Sequence, residues 1–278
     1  MRTHMFSALR KAVAVIGITV AFLATAKAEE RFITLASTTS TEQSGLFEYL
    51  IPAFTKETGI AVHVVAVGTG QALQIGTRGD ADALLVHDPV GEKKFMDDGF
   101  GIDRRAVMHN DFVIIGPKSD PAHVRGQKDV LEAFRLIAQT NSPFASRGDS
   151  SGTNAMELRL WQQAGLDPKQ GTGKWYRELG QGMGPTLNTA ASMEAYTLSD
   201  RATWTNFKNR QTLAILVEGD LHLLNPYSTI LVSPARFPAV KAADAKIWHD
   251  WLISRVGQQV IAGYKINGEQ LFFPDAKN

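Results

Sequence analysis

The residues best equipped for chemistry in this 278-residue chain lie in one loop, Ser146-Arg147-Gly148-Asp149-Ser150-Ser151-Gly152-Thr153. A guanidinium, hydroxyls and two glycines sit there between an apolar strand-like stretch and a helix-like one. Such a loop suits a small oxyanion. The glycines let backbone N–H groups close on a ligand, the following helix offers its unpaired N-terminal donors and dipole, and Arg147 adds a permanent planar charge. Two other segments repeat the pattern of strand, small hydroxyl or glycine residues, then helix: Ser37-Thr38-Thr39-Ser40-Thr41 and Gly68-Thr69-Gly70. The carboxyl ends of strands in an open α/β sheet share one edge, so these two loops are expected to converge there. The Arg147 loop faces them across a cleft if it belongs to a second lobe. Each alone also fits a plainer role, since a hydroxyl such as Ser40 or Thr41 is a preferred helix cap.

Other chemistries are tested by the same residues. Gly68 and Gly70 open a helix after a strand, but Leu73 stands where a dinucleotide fingerprint needs its third glycine. Gly173-Lys174 suggests a P-loop, yet Pro168 and Trp175 occupy its first-glycine and Ser/Thr positions. Gly148-Asp149-Ser150-Ser151-Gly152 satisfies G-x-S-x-G, the nucleophile elbow of α/β-hydrolases. Chain order then permits a secreted serine hydrolase using Ser150, with Asp200 or Asp220 followed by His222 or His249. That alternative explains neither Arg147 nor the two additional hydroxyl loops. The 7 histidines are scattered with no metal-ligand spacing, so no bare metal and no cofactor is expected. Trp161, Trp175, Trp204, Trp248 and Trp251 are expected in cores, since no basic groove accompanies them.

The N-terminus reads as a secretory signal over residues 1–28. Arg2, Arg10 and Lys11 precede an apolar stretch, and Ala26-Lys27-Ala28 supplies small residues for cleavage near Ala28. Loss of this segment takes four basic residues and no acids, turning the formal charge from +1 to −3. A faintly acidic mature chain without a basic tract is a poor nucleic-acid binder and must hold an anion by local donors. The absence of cysteine excludes disulfides, thiol catalysis and a lipid-attachment cysteine, so a free periplasmic protein is expected.

Beyond the signal, β-rich runs at 32–36, 61–67 and 83–86 alternate with helical patterns from about Ser44 and Gln71, the rhythm of a parallel sheet. Long extended runs at 106–116 and 223–232 separate front, middle and back blocks. The chain is therefore expected to leave one lobe and return to it, with the extended runs as crossover hinges. Lobe I comprises 29–111 and 225–278, and lobe II comprises 112–224. A single C-terminal helix is expected near 242–256.

Together these segments resemble the tungstate-binding periplasmic component of Tup-type ABC transporters. The likeness runs along nearly the whole mature chain: the Thr/Ser run from Ser37 to Ser40, Val67-Gly68-Thr69-Gly70-Gln71-Ala72-Leu73, the stretch from Gly79 to His87, Asn110-Asp111-Phe112, the Arg147 loop, Gly180-Gln181-Gly182-Met183-Gly184, Ala195-Tyr196-Thr197-Leu198, and Val217-Glu218-Gly219-Asp220 with Leu224-Asn225-Pro226-Tyr227. The resemblance implies a two-lobed type II periplasmic-binding fold, α/β, each lobe a mostly parallel sheet flanked by helices, joined by two crossover strands. It implies capture of tungstate, with molybdate or phosphate as alternatives, and delivery to a permease driven by an ATPase. Carried over by position, it assigns the anion to Thr39, Ser40, Thr69, Arg147, Ser151 and Thr153. Ser37 stands where the family usually shows Thr, and the hydroxyl survives the change. The loop is also similar to that of periplasmic phosphate receptors, where the aspartate accepts the phosphate proton. Tungstate carries no proton near neutrality, so Asp149 is expected to turn away, orienting Arg147 or capping the next helix. A monomeric, non-enzymatic receptor is expected.

Overall fold

The computed structural model describes residues 30–277, so the expected signal at 1–28 lies outside the described residues. The chain opens with β1 (Phe32–Thr38), a short α1 (Thr39–Gln43), α2 (Leu46–Thr58), β2 (Ala61–Val67), α3 (Thr69–Arg78), β3 (Ala83–Val86), α4 (Pro89–Asp97) and the long β4 (Gly101–Pro117). The middle carries α5 (Val130–Gln139), β5 (Phe144–Ser146), α6 (Gly152–Gln163), β6 (Tyr176–Glu178), α7 (Met183–Met193), β7 (Thr197–Asp200), α8 (Arg201–Asn206) and β8 (Leu213–Val217). The return strand β9 (Leu224–Val232) leads to α9 (Ala242–Ile253), α10 (Arg255–Gly263), β10 (Lys265–Ile266), β11 (Glu269–Gln270) and β12 (Phe273–Pro274). Among the described residues no helix is long and apolar enough to cross a membrane.

The strand pattern explains the two lobes. β1 pairs in parallel with β2 and with β3. β9 is antiparallel to β3 and to β4, and β12 is antiparallel to β4. The expected parallel sheet is thus its front half, and the sheet turns mixed where β4 and β9 enter. The reason is connectivity, because one strand carries the chain out of the lobe and the other brings it back, so they must run in opposite senses. β4 changes partners along its length. Asp111 still faces Leu224 of β9, whereas from Phe112 onward it pairs with β7 and then β8.

Side-chain alternation along β4 sorts the second lobe into two cores, as a period of two demands. Phe112 and Ile114 pack with Phe134, Phe144, Trp161, Tyr176 and Tyr196, while Val113 and Ile115 pack with Met183, Leu187, Trp204 and Leu213. In the first lobe, Ile33 and Leu35 of β1 join Leu50, Phe54, Trp248 and Trp251, and Leu84 and Val86 of β3 join Ala72, Phe95 and Ile230 on the opposite face. All five tryptophans serve these cores, Trp175 at the edge of one.

Two helices differ from expectation. The helix expected from Ser44 starts only after Gly45, whose φ of +81° turns the chain, and the separate α1 precedes it. The expected C-terminal helix is two, broken at Ser254, which takes an extended conformation and caps α10 by accepting from the Gly257 N–H at 3.1 Å. A side chain at Gly257 would collide with the Trp251 carbonyl oxygen, so the tight corner requires glycine.

Candidate anion-binding site

Three strand-to-helix turns supply the site, and each fixes its hydroxyls through ordinary capping. Thr38, closing β1, caps α1 by accepting from the Thr41 N–H at 3.2 Å. This frees Ser40 from the capping role its composition suggested, and Thr39 opens α1 half-buried. Thr69 opens α3 directly after Gly68. Ser151 caps α6, its Oγ accepting from the Asn154 N–H at 3.1 Å. Ser40, Thr69, Arg147, Ser151 and Thr153 are all buried.

The structure brings the second and third turns into contact across the lobes. The Gly152 N–H donates to Thr69 Oγ1 at 2.9 Å, and the Gly70 N–H approaches the Ser150 carbonyl at 3.4 Å. The first turn joins them through His87, at the end of β3. His87 Nε2 lies 3.2 Å from both Thr38 Oγ1 and Ser40 Oγ. On its other edge, a Cβ built on Gly152 would come within 2.8 Å of His87 Cε1. The segment 37–41, loop one, also touches the second lobe directly, with Thr203 Oγ1 of α8 donating to the Ser40 carbonyl at 3.3 Å. An ion pair spans the lobes beside this cluster, Arg159 of α6 to Asp88 at the start of α4, 2.9 Å apart.

Arg147 is almost wholly enclosed, at 1% exposure. Its Nε and Nη2 both donate to Asp149 Oδ2, at 3.1 and 2.6 Å, and its Nη1 donates to Thr153 Oγ1 at 3.3 Å. Asp149 Oδ1 accepts from the Ser151 N–H at 3.2 Å. Asp149 therefore orients Arg147, one of the two roles expected of it, while the cap of α6 is Ser151 instead. A guanidinium has five N–H donors, so Arg147 keeps two beyond these three bonds.

The hydrogen-bond directions give the cluster one polarity. Thr69, Ser151 and Thr153 each accept an N–H through the hydroxyl oxygen. Each thereby retains its hydroxyl hydrogen as a donor. Together with the remaining guanidinium N–H groups and the dipoles of α3 and α6, this is a set of donors suited to a guest that only accepts.

The family model described as PBP superfamily domain matches residues 23–256. The tungstate-binding protein TupA of Peptoclostridium acidaminophilum is 44% identical over 248 residues, covering 88% of this chain and 86% of that one. Among solved structures, the tungstate-binding protein TupA from Desulfovibrio alaskensis G20 superposes with a TM-score of 0.77 at 46% identity, covering 89% of this chain and 100% of the other. A structure described as the tungstate ABC transporter from Geobacter sulfurreducens gives 0.78 at 46% identity, over 84% and 99% of the two chains. The chain belongs to the TupA family of the PBP superfamily.

In this TupA-family chain the hydrolase constellation is not assembled. Ser150 does have the positive φ of an elbow, +57°. Its neighbour, however, is Gly70, while His222 pairs with Asp220 at 2.8 Å and His249 with Thr229 at 3.2 Å. Sequence reasoning also passed over polar residues that surround the site. His87 Nδ1 meets Asn225 Oδ1 at 2.9 Å, and Asn225 Nδ2 donates to Asn110 Oδ1 at 2.7 Å, the two asparagines lying opposite each other on β9 and β4. Tyr227 packs against His87 at a tilt of 30°, with ring centroids 4.8 Å apart. Burial pushes the His87 imidazole down from 6.5 to about 4, with the Asn225 bond opposing and the Arg147 charge adding to the fall. Burial likewise raises Asp200, the α8 cap, whose Oδ2 has no partner among the described residues. No local spacing announces these residues, since isolated Asn and His on strands are commonplace. They come together only through the pairing of β4 with β9 and the end of β3.

Proposed function

We propose that this chain is a secreted, non-catalytic receptor that closes its two lobes on a tetrahedral oxyanion, tungstate first and molybdate second. The observation that carries the proposal is the cross-lobe meeting of Thr69 and Gly152 beside the buried Arg147. It supports Thr39, Ser40, Thr69, Arg147, Ser151 and Thr153 as the anion's ligands. A dianion stripped of water needs several short donors and partial charge compensation, which these hydroxyls, amides and the guanidinium can supply. The turn of Asp149 onto Arg147 and the Ser151 N–H supports an unprotonated anion over hydrogen phosphate, whose proton would need an acceptor aimed into the cleft.

The change of partner along β4 after Asp111 supports lobe I as 29–111 with 225–278 and lobe II as 112–224. The names of the relatives support tungstate as ligand and a place in an ABC transporter system, and the signal-like residues 1–28 support periplasmic residence. Calorimetric titration of the mature chain with tungstate, molybdate, sulfate and phosphate tests this. Tight one-to-one uptake of the first two, with sulfate and phosphate far weaker, is the expected result. Preferential uptake of phosphate would sink it.

A further inference from the structure

We infer that His87 is a positioning residue of this site, a neutral imidazole that takes one hydroxyl hydrogen from loop one and so decides which hydroxyl is left to the anion. This rests on the oxyanion-receptor reading and deepens it. The inference stands on the two faces of the ring. On the Nδ1 side the amide oxygen of Asn225 lies at 2.9 Å, and the orientation of that amide is set by Nδ2 donating to Asn110 Oδ1 at 2.7 Å. A carbonyl oxygen facing Nδ1 requires the ring hydrogen there. In the neutral ring Nε2 is then a lone pair, and it faces only hydroxyls, Thr38 Oγ1 and Ser40 Oγ, both at 3.2 Å. One of them must donate to it.

Thr38 is the better donor. Its oxygen already accepts from the Thr41 N–H at 3.2 Å, as the cap of α1, so its hydrogen is available to Nε2. Thr38 Oγ1 also lies 2.7 Å from Thr41 Oγ1, so once Thr38 donates to the ring it accepts from Thr41 through both the N–H and the hydroxyl, its two lone pairs are filled, and the Ser40 hydrogen is left for the cleft. Ser40 then matches Thr69, Ser151 and Thr153 as a donor. Ring rotation is blocked because the tilted ring of Tyr227 packs against the imidazole and Gly152 abuts the edge at Cε1 when the lobes meet. The asparagine pair on the crossover strands therefore reaches the anion through a tautomer, without touching it.

The test uses the full mature chain labelled with 15N histidine, at pH 7, with and without sodium tungstate, the His87 signals being assigned by their loss in His87→Gln. The expected spectrum shows a proton on Nδ1 and an unprotonated, hydrogen-bonded Nε2. A proton on Nε2, or an imidazolium, overturns the inference, and loss of the signals in His87→Asn gives the same assignment where His87→Gln does not fold. Calorimetry with tungstate follows for His87→Gln, whose amide oxygen can replace the Nε2 acceptor, and His87→Asn, which keeps a donor toward Asn225 but offers no acceptor at Nε2. Gln is expected within about threefold of the parent and Asn weaker by about tenfold or more. Equal losses in both, or no loss in either, overturn it. A parent chain with the expected tautomer that binds none of the oxyanions sinks the receptor reading instead.

Discussion

Arg147 is asked to do three things that a lysine cannot do together: bond Asp149 through two nitrogens, bond Thr153, and still present N–H groups to a guest. An ammonium is a point charge without the planar fork. Arg147→Lys is therefore expected to weaken tungstate binding by about a hundredfold, comparable to losing one or two charge-assisted hydrogen bonds, measured by calorimetry. Ser150→Ala is expected within about twofold, because Ser150 is exposed and makes its contact with Gly70 through its backbone. The pair of variants also separates receptor from hydrolase, since the hydrolase alternative requires the opposite order. Arg147 was legible in the sequence because an arginine inside a glycine and hydroxyl loop has few structural reasons to be there. His87 was not, because a histidine after an apolar strand has many.

At the scale of elements, α6 begins at the point of closest approach between lobes, and its first residue is glycine for a steric reason rather than a conformational one. A Cβ at Gly152 would lie 2.8 Å from both His87 Cε1 and Thr69 Oγ1. Both atoms belong to the other lobe, so the collision exists only when the lobes meet. Gly152→Ala is expected to leave the unliganded melting temperature within about 2 °C of the parent, since an added methyl at a helix start is otherwise a minor change. It is expected to weaken tungstate binding by at least about tenfold by obstructing closure. An unchanged affinity would mean that this contact plays no part in the bound state. The turn itself was visible in the sequence as strand, glycine and helix, but which surface it meets was not.

At the scale of the whole molecule, the second lobe carries a buried carboxyl that ties folding to pH. Glu157 of α6 is 2% exposed and accepts from the Tyr176 hydroxyl at 2.7 Å and Trp161 Nε1 at 3.1 Å. Burial raises it from 4.5 to about 7, against the opposing effect of its hydrogen bonds with Ser146, Tyr176 and Trp161. The folded chain thus holds a proton that the unfolded chain releases between about pH 4.5 and 7. Stability contributed by this group is greatest below that window and falls as pH rises through it, by on the order of 3 kcal/mol. Glu157→Gln keeps an acceptor for both donors and removes the charge. Its stability relative to the parent, from urea unfolding at a series of pH values, is expected to rise steadily from pH 4.5 to 7 and then level off. A constant difference across that range would show that Glu157 does not titrate there.

The sequence by itself determined the lobed α/β plan, the three strand-to-helix turns, the buried role of the tryptophans and the small polar groups suited to an oxyanion. All of these are local: alternation along a strand, hydroxyl and glycine residues at a helix start, and a guanidinium in a tight loop act within a few residues of one another. Only the tertiary structure decided that β4 and β9 run antiparallel and set Asn110 opposite Asn225, that His87 stands between the loop at 37–41 and the Arg147 loop, and that Asp149 turns onto Arg147 and the Ser151 N–H. These depend on groups far apart in the chain. Their pairing is settled by which apolar faces bury together, and no nearby residue encodes that choice.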